Sequence, residues 1–305
     1  MKFQFYLSTF FSKYLPLILY RDSLLNIIRK NITEDIYLID NSNDIITDNS
    51  TILIVYSLDL NNIINILSDN NITTFIINTE HYRHFNIINI LNIINNRSNF
   101  YLFEYNPINI NNISKEYSSI QIRYLPLLYH EYLTEYYDDI VINKKELKEK
   151  EYDILFYGSI NDRRYKILEQ LSTKYKVIII NGNGRSDENN KQLMLLIENS
   201  KIVLNIYYYD YNFVFDYYRL AFLIANNAFI INEYPRDVDL SIQNDLIDFD
   251  KHIISVNYDN IIETVDKYMD IYNNEEEIIQ IKENQLEWFK KNKMEDYFMS
   301  IYKNE

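Results

Sequence analysis

The chain has 305 residues, 47 % of them hydrophobic and 15 % aromatic, which is too much for one ordinary core, suits two domains, and does not fit a disordered chain. Lys and Arg number 30 against 44 Asp and Glu, a net charge of −14, which argues against a nucleic-acid binder that works by releasing counterions from a basic surface. With no cysteine, disulfides, thiolate metal sites and thiol catalysis are excluded.

The segment from Met1 to Tyr20 is apolar in places, but Lys13 and several Ser and Thr residues interrupt it. It falls short of the roughly 18 apolar residues that a membrane span needs, and it lacks the unbroken centre of a signal peptide. The expectation is a soluble, cytoplasmic protein without a membrane span. Ile, Asn, Tyr, Lys and Asp are abundant while Gly (3) and Pro (4) are scarce, the mark of an AT-rich coding genome.

Short apolar runs then follow at Ile36–Asp40, Ile52–Tyr56, Thr74–Asn78, Asn99–Tyr105 and Ile120–Leu125. Between them lie helical patterns such as Leu60, Ile63, Ile64 and Leu67, or Ile87, Ile88, Leu91 and Ile94. Strands alternating with helices at this interval predict βαβ units and a parallel sheet. The charged stretch Asn143–Glu151 reads as a solvated linker, and a boundary there separates domains 1–148 and 149–305.

The second half repeats the rhythm. Strands are predicted at Tyr152–Tyr157, Val177–Asn181, Ile202–Tyr207 and Ala228–Asn232, with a weaker one at His252–Val256. Helices are predicted at Arg164–Lys174, Lys191–Asn199, Phe215–Ala225, Ile261–Tyr272 and Glu275–Lys291, ending in a piece with Tyr297, Phe298 and Ile301. Glu275, Glu276 and Glu277 against Lys290 and Lys291 suit the two ends of a helix dipole.

Four constellations sit just past predicted strands. Gly158-Ser159 ends the first strand of the second half, Asn161 or Asp162 can cap the next helix, and Arg163 and Arg164 add positive charge where anions bind. Asn181 to Arg185, with Gly182 and Gly184, is either a ligand loop or an ordinary turn. The aromatic run from Tyr207 through Tyr208 precedes Asp216 and Arg219, three apart on a helix, and Glu233 ends the following strand. Aromatics there suit a base or sugar, and carboxylates suit sugar or ribose hydroxyls. In the first half, Glu80 and His81 follow a strand and are both capable of general-base work. Asp237-Val238-Asp239 is formally a DxD metal motif, but it follows Pro235-Arg236 rather than a strand end and reads as accidental. A nicotinamide-dependent oxidoreductase would want a GxGxxG fingerprint, which is missing.

The stretch from YDILFYGSINDRRYKIL through LIENSKIVLNIYYYD to FDYYRLAFLIANNAFIINE resembles the C-terminal domain of GT-B glycosyltransferases. It is most similar to a bacterial and giant-virus group related to the spore-maturation-type transferases. IINTEHY, Phe103-Glu104-Tyr105-Asn106 and Tyr124-Leu125-Pro126 resemble landmarks of that group's first half. The resemblance spans Thr73 to Glu233 and implies two Rossmann-like domains facing a cleft, with a helical C-terminal tail that crosses back to the first domain.

It also implies a metal-independent transferase with no cofactor, a UDP- or GDP-sugar as donor, and a glycan or other molecule as acceptor. Gly158, Ser159, Arg163 and Arg164 would face the donor diphosphate. Tyr208, Asp216, Arg219 and Glu233 would contact the rest of the donor, and Glu80 or His81 would be the base on the acceptor side. If the source is a giant virus, the setting is the host cytoplasm. Several residues depart from the pattern. Asp216 stands where the family usually has Glu, and Asn226-Asn227 stands where a Gly is common. Val214 and Phe222 occupy the places of the paired glutamates of many retaining enzymes. These departures leave retaining and inverting chemistry both open, along with an inactive binding protein on the same scaffold.

Overall fold

The computed structural model describes residues 2–7, 15–33, 35–39, 44–45, 51–56, 72–79, 85–135, 149–181, 187–210, 215–235, 249–272 and 274–302. The chain divides into two compact units, one made of Met1–Leu127, Asp239–Ile247 and Met294–Glu305, the other of Leu128–Val238 and Asp248–Lys293.

The first unit runs β1 (Lys2–Leu7), α1 (Leu15–Asn31), β2 (Ile36–Ile39), β3 (Thr51–Tyr56), β4 (Thr73–Ile77), α2 (Phe85–Ile94), β5 (Phe100–Glu104), α3 (Pro107–Glu116) and β6 (Gln121–Tyr124). Its sheet is parallel, in the order β2-β1-β3-β4-β5-β6. β1 was not among the predicted strands, yet it pairs on both sides, with β2 and β3. The reason lies in the period-two pattern of KFQFYL, which buries Phe3 and Phe5 on one side and Gln4 and Tyr6 on the other. The apolar start of α1 is likewise core: Leu15, Leu17, Ile18, Leu19 and Tyr20 are all buried. Among the described residues, no helix is long and apolar enough to cross a membrane. The helix expected around Leu60–Leu67 lies outside the described residues.

The second unit runs α4 (Tyr132–Glu135), β7 (Tyr152–Tyr157), α5 (Asp162–Ser172), β8 (Val177–Ile180), α6 (Asp187–Glu198), β9 (Ser200–Asn205), α7 (Tyr217–Ala225), β10 (Ile230–Glu233), α8 (Phe249–His252), β11 (Ile254–Val256), α9 (Ile261–Ile271) and α10 (Glu275–Lys291). Its parallel sheet has the order β11-β10-β9-β7-β8. Counted within each unit, the first sheet follows 2-1-3-4-5-6 and the second 2-1-3-4-5, doubly wound orders whose switch point lies between the first and third strands. Ile154, Phe156, Ile202, Leu204 and Ile231 of this sheet share a buried cluster with Ile167, Leu168 and Leu171 of α5 and Val265 of α9. Both parallel-sheet units match the expected architecture.

Two local features explain unusual residues. Asn227, where a glycine is common in the resembled group, has φ 53 just past the end of α7. Asn is the residue that best tolerates this left-handed position after Gly. The expected crossing of the helical tail to the first domain is met by its last helix alone, since Trp288 and Phe289 on α10 stay within the second unit. Trp288 stacks on His252 at 4.1 Å and Phe289 meets the Tyr129 ring edge at 5.8 Å. The helix after them, α11 (Met294–Tyr302), belongs to the first unit, where Glu295 pairs with Lys30 at 2.9 Å and accepts from Asn31 Nδ2 at 3.0 Å.

Candidate functional site

At the carboxyl edge of the second sheet, the segment after β9 is stitched to the start of α5 through three successive carbonyls. Arg164 donates to Ile206 O through Nε (2.9 Å) and Nη2 (2.6 Å), Arg163 Nη1 donates to Tyr207 O (2.9 Å), and Asn161 Nδ2 donates to Tyr208 O (2.7 Å). Asn161 also caps the helix, accepting from Arg164 N at 3.0 Å. This capping residue turns both arginines toward the switch point between β7 and β9, where doubly wound sheets hold ligands.

The two arginines then diverge. Arg163 forms a bidentate pair with Glu233, with Nη1 to Oε2 at 2.8 Å and Nη2 to Oε1. Its guanidinium lies 3.9 Å over the Tyr258 ring, whose hydroxyl donates to Arg163 O at 2.6 Å. Glu233 is 2 % exposed and accepts in addition from Tyr207 N at 2.8 Å. Both carboxylate oxygens, which the sequence assigned to sugar or ribose hydroxyls, are therefore engaged by protein donors.

Arg164, 6 % exposed, has no carboxylate partner among the described residues; its Nη1 donates to Ser159 O at 2.6 Å. Burial first, then the nearby Arg219, pulls its pKa from 12.5 down to about 10, so it stays charged at neutral pH. Arg219 donates through Nη1 to Asn205 Oδ1 at 2.9 Å, and its Nε lies 3.3 Å from Asp216 Oδ2. Both guanidinia face Gly158, whose φ is +144: a Cβ there would stand 3.3 Å from Arg164 Nη1 and 3.7 Å from Arg219 Nη2. The glycine lets the backbone come against the two cations. Ser159 beside it is exposed.

Asp216 and Arg219 do meet as the expected i,i+3 pair, but Asp216 stands at the helix boundary rather than inside the helix. It is the N-cap of α7, accepting from Arg219 N at 3.4 Å, because a short carboxylate satisfies the helix's first N–H groups. Tyr208 is 37 % exposed, packs edge-on against Tyr209 at 4.8 Å, and has the Arg164 guanidinium 5.3 Å over its ring. Asn205 and Asn232, buried at the ends of β9 and β10, share a 2.8 Å bond; sequence reasoning placed Asn205 only at the head of the stretch that runs to Arg219, and missed Asn232. Their only signal was an amide inside an otherwise apolar strand.

Glu80, His81, Gly182, Gly184, Arg185, Val214, Asp237 and Asp239 lie outside the described residues. The carboxyl edge of the first sheet does show a polar cluster that the sequence noted only as a landmark. Glu104, at the end of β5, is fully buried among Asn78 Nδ2 (2.5 Å), Asn106 N (3.0 Å) and Asn109 Nδ2 (3.1 Å).

No family model matches the chain. An uncharacterized protein of Acanthamoeba polyphaga mimivirus is 32 % identical over 136 residues, which is 45 % of this chain and 45 % of that protein; the match thus spans under half of either length. Among solved structures, an alpha-glucosyltransferase in complex with UDP and a 13-mer DNA is similar over 99 % of this chain and 98 % of that one, with TM-score 0.57 and 7 % identity. TarM is similar over 84 % of this chain, which spans 55 % of TarM, with TM-score 0.55 and 12 % identity. At such identities the likeness is one of fold, and the fold is GT-B, built from two parallel-sheet α/β units.

Proposed function

We propose that the chain is a glycosyltransferase that moves a sugar from a nucleoside-diphosphate sugar, UDP- or GDP-linked, to a glycan or other acceptor. The observation that carries this reading is Arg164: a buried, charged guanidinium beside a second one, set against a glycine at the switch point, with no carboxylate bonded to it among the described residues. Around it stand two further arginines (163 and 219) and two acids (Asp216 and Glu233). A diphosphate supplies the missing negative charge, and the free N–H groups at the start of α5 add to the attraction.

As the sugar–phosphate bond breaks, charge develops on the leaving diphosphate. Fixed guanidinia there stabilise it without the help of a metal or cofactor. In this reading Arg164 and Arg219 hold the phosphates, Gly158 and Ser159 supply the backbone against them, and Tyr208 packs on the donor. Arg163, Asp216 and Glu233 hold that wall in shape. Glu80 and His81 are the proposed bases on the acceptor side.

The alpha-glucosyltransferase with a similar fold binds UDP, which supports a nucleotide donor. Its DNA is not carried over, because a net charge of −14 opposes phosphate-backbone binding. The mimivirus match supports a giant-virus source; membership of the spore-maturation-related group and a host-cytoplasmic setting rest on the sequence resemblance alone.

A second reading, a nucleotide- or glycan-binding protein without turnover, is favoured by one observation: both oxygens of Glu233 are already engaged. A thermal-shift panel of UDP, GDP, CDP and their sugars, followed by a turnover assay, tests both. The transferase reading expects stabilisation by one diphosphate, slow release of it from the matching sugar, and loss of that release in Glu80→Ala or His81→Ala. Stabilisation without turnover, with both substitutions silent, selects the binding protein. No stabilisation by any nucleotide removes both readings.

A further inference from the structure

The second unit carries another pocket, of about 590 Å³, at the opposite edge of its sheet. Its walls come from the end of α8, the start of β11, and the facing sides of α9 and α10. Tyr268 of α9, which packs on Phe229 just before β10, and Ile254 place it at the amino ends of β10 and β11. Gly158, Asn205 and Glu233 all lie at the carboxyl ends, so this pocket is separate from the arginine site.

Its chemistry is mixed. His252 and Trp288 stack nearly parallel, 14° apart, and with Ile281 they give flat and apolar surface. Gln285 lines the pocket, is 4 % exposed, and its Oε1 has no hydrogen-bond partner among the described residues. A buried acceptor left unmatched is costly, so the pocket calls for a donor at that point. Glu287 adds a further acceptor, and Lys291 a donor; neither makes an ion pair among the described residues.

A ligand matched to this lining both donates and accepts along its length and has an apolar face. A simple anion would meet Lys251 and Lys291 but would leave Gln285 Oε1 unmatched. An apolar molecule would leave every polar group unmatched. Ring hydroxyls donate and accept alike, and the C–H face of a pyranose suits the indole and Ile281. The volume lies within the range of small-molecule sites, on the order of 300–1,000 Å³.

We propose that this pocket is a saccharide-binding site, with Gln285, Glu287 and Lys291 as its hydroxyl partners beside Trp288. The assignment does not depend on the transferase reading and fails separately from it.

Trp288 is the single tryptophan of the chain, so its emission, excited where tyrosine is silent, reports this pocket alone. The intact chain is titrated with glucose, galactose, mannose, N-acetylglucosamine, rhamnose, xylose and their short oligomers, with UDP and inorganic phosphate alongside. The expected result is a saturable change with at least one saccharide, retained in Arg164→Lys. The affinity should fall tenfold or more in Gln285→Leu and in Lys291→Ala; the second variant alters an exposed residue and leaves the core intact. Silence toward every saccharide overturns the proposal, as does a response confined to UDP or phosphate. A saccharide response that survives both pocket substitutions overturns it equally.

Discussion

Glu104 should make the first unit lose stability as pH rises through neutrality. Its carboxyl is wholly buried, and burial outweighs its hydrogen bonds from Asn78, Asn109 and Asn106, pushing the pKa from 4.5 up to about 8. The folded chain thus keeps a proton that the unfolded chain gives up above about pH 4.5. The stabilisation is fully present below about pH 4.5 and is lost as pH rises through about 8.

At about 1.36 kcal/mol per pH unit, the gap between 4.5 and about 8 corresponds to roughly 5 kcal/mol. That is an upper bound, because water reaching the charged form relieves part of the cost. Glu104→Gln mimics the protonated acid and cannot ionise, so its stability should be flat over the same window. Urea unfolding followed by far-ultraviolet circular dichroism across this range compares the two chains. Carbon-13 labelling of the glutamate carboxyls gives the titration directly, with the Glu104 signal identified by its loss in Glu104→Gln. Parallel pH profiles for the two chains, or a Glu104 carboxyl titrating in the ordinary range, would refute the reasoning.

Three further outcomes follow from the arginine site. Gly158→Ala imposes a side chain at φ +144, 3.3 Å from Arg164 Nη1; it should cost about 1–3 kcal/mol and weaken nucleoside-diphosphate binding, and an unchanged melting temperature with unchanged binding would contradict this. Glu233→Gln removes the charge facing Arg163, with side chains only 15 % and 3 % exposed, and should destabilise by about 3–5 kcal/mol. Combined with Arg163→Met, the total should fall well short of the sum of the singles, so additivity in a double-mutant cycle would count against the pair. Asn161→Ala should cost about 1 kcal/mol as a lost cap, while Asn161→Asp restores the cap but not the donation to Tyr208 O. Equal stability of Asn161→Asp and the unaltered chain in a denaturant titration would show that the carbonyl contact contributes nothing.

Most of the fold was legible because parallel strands buried on both faces read as apolar runs, and the two series of runs match the strands β2 to β11. β1 was missed because an apolar N-terminus was weighed only as a leader or a span, although Phe3, Gln4, Phe5 and Tyr6 alternate as a strand should. The site was legible in its positions more than in its partners. Gly158, Arg164, Arg219 and Glu233 do share one sheet edge, because loops after parallel strands converge there. That Glu233 turns to Arg163, or that Asp216 caps α7, depends on side chains far apart in sequence, and one chain's pattern carries no such pairing. Glu104 was legible only as an acid among asparagines; its burial is a product of the packing.

Arg163 and Arg164 show why adjacency misleads on a helix. Successive residues are about 100° apart around the axis, so two neighbours at the start of α5 serve different strands. Arg163 swings toward β10 and gives its charge to Glu233, while Arg164 turns into the gap between β7 and β9, where its hydrogen bonds go to carbonyl oxygens. A paired substitution would remove a structural ion pair and the unmatched cation together, and a loss of binding would not say which mattered. In the proposed diphosphate site Arg164 works with Arg219, from a different helix, because those two flank Gly158. Arg164→Lys is the sharper probe: it keeps a charge but loses the planar fork that reaches Ile206 O and Ser159 O together. Diphosphate affinity should therefore drop in that variant while the Arg163–Glu233 pair, and with it the stability of the β10 edge, is left in place.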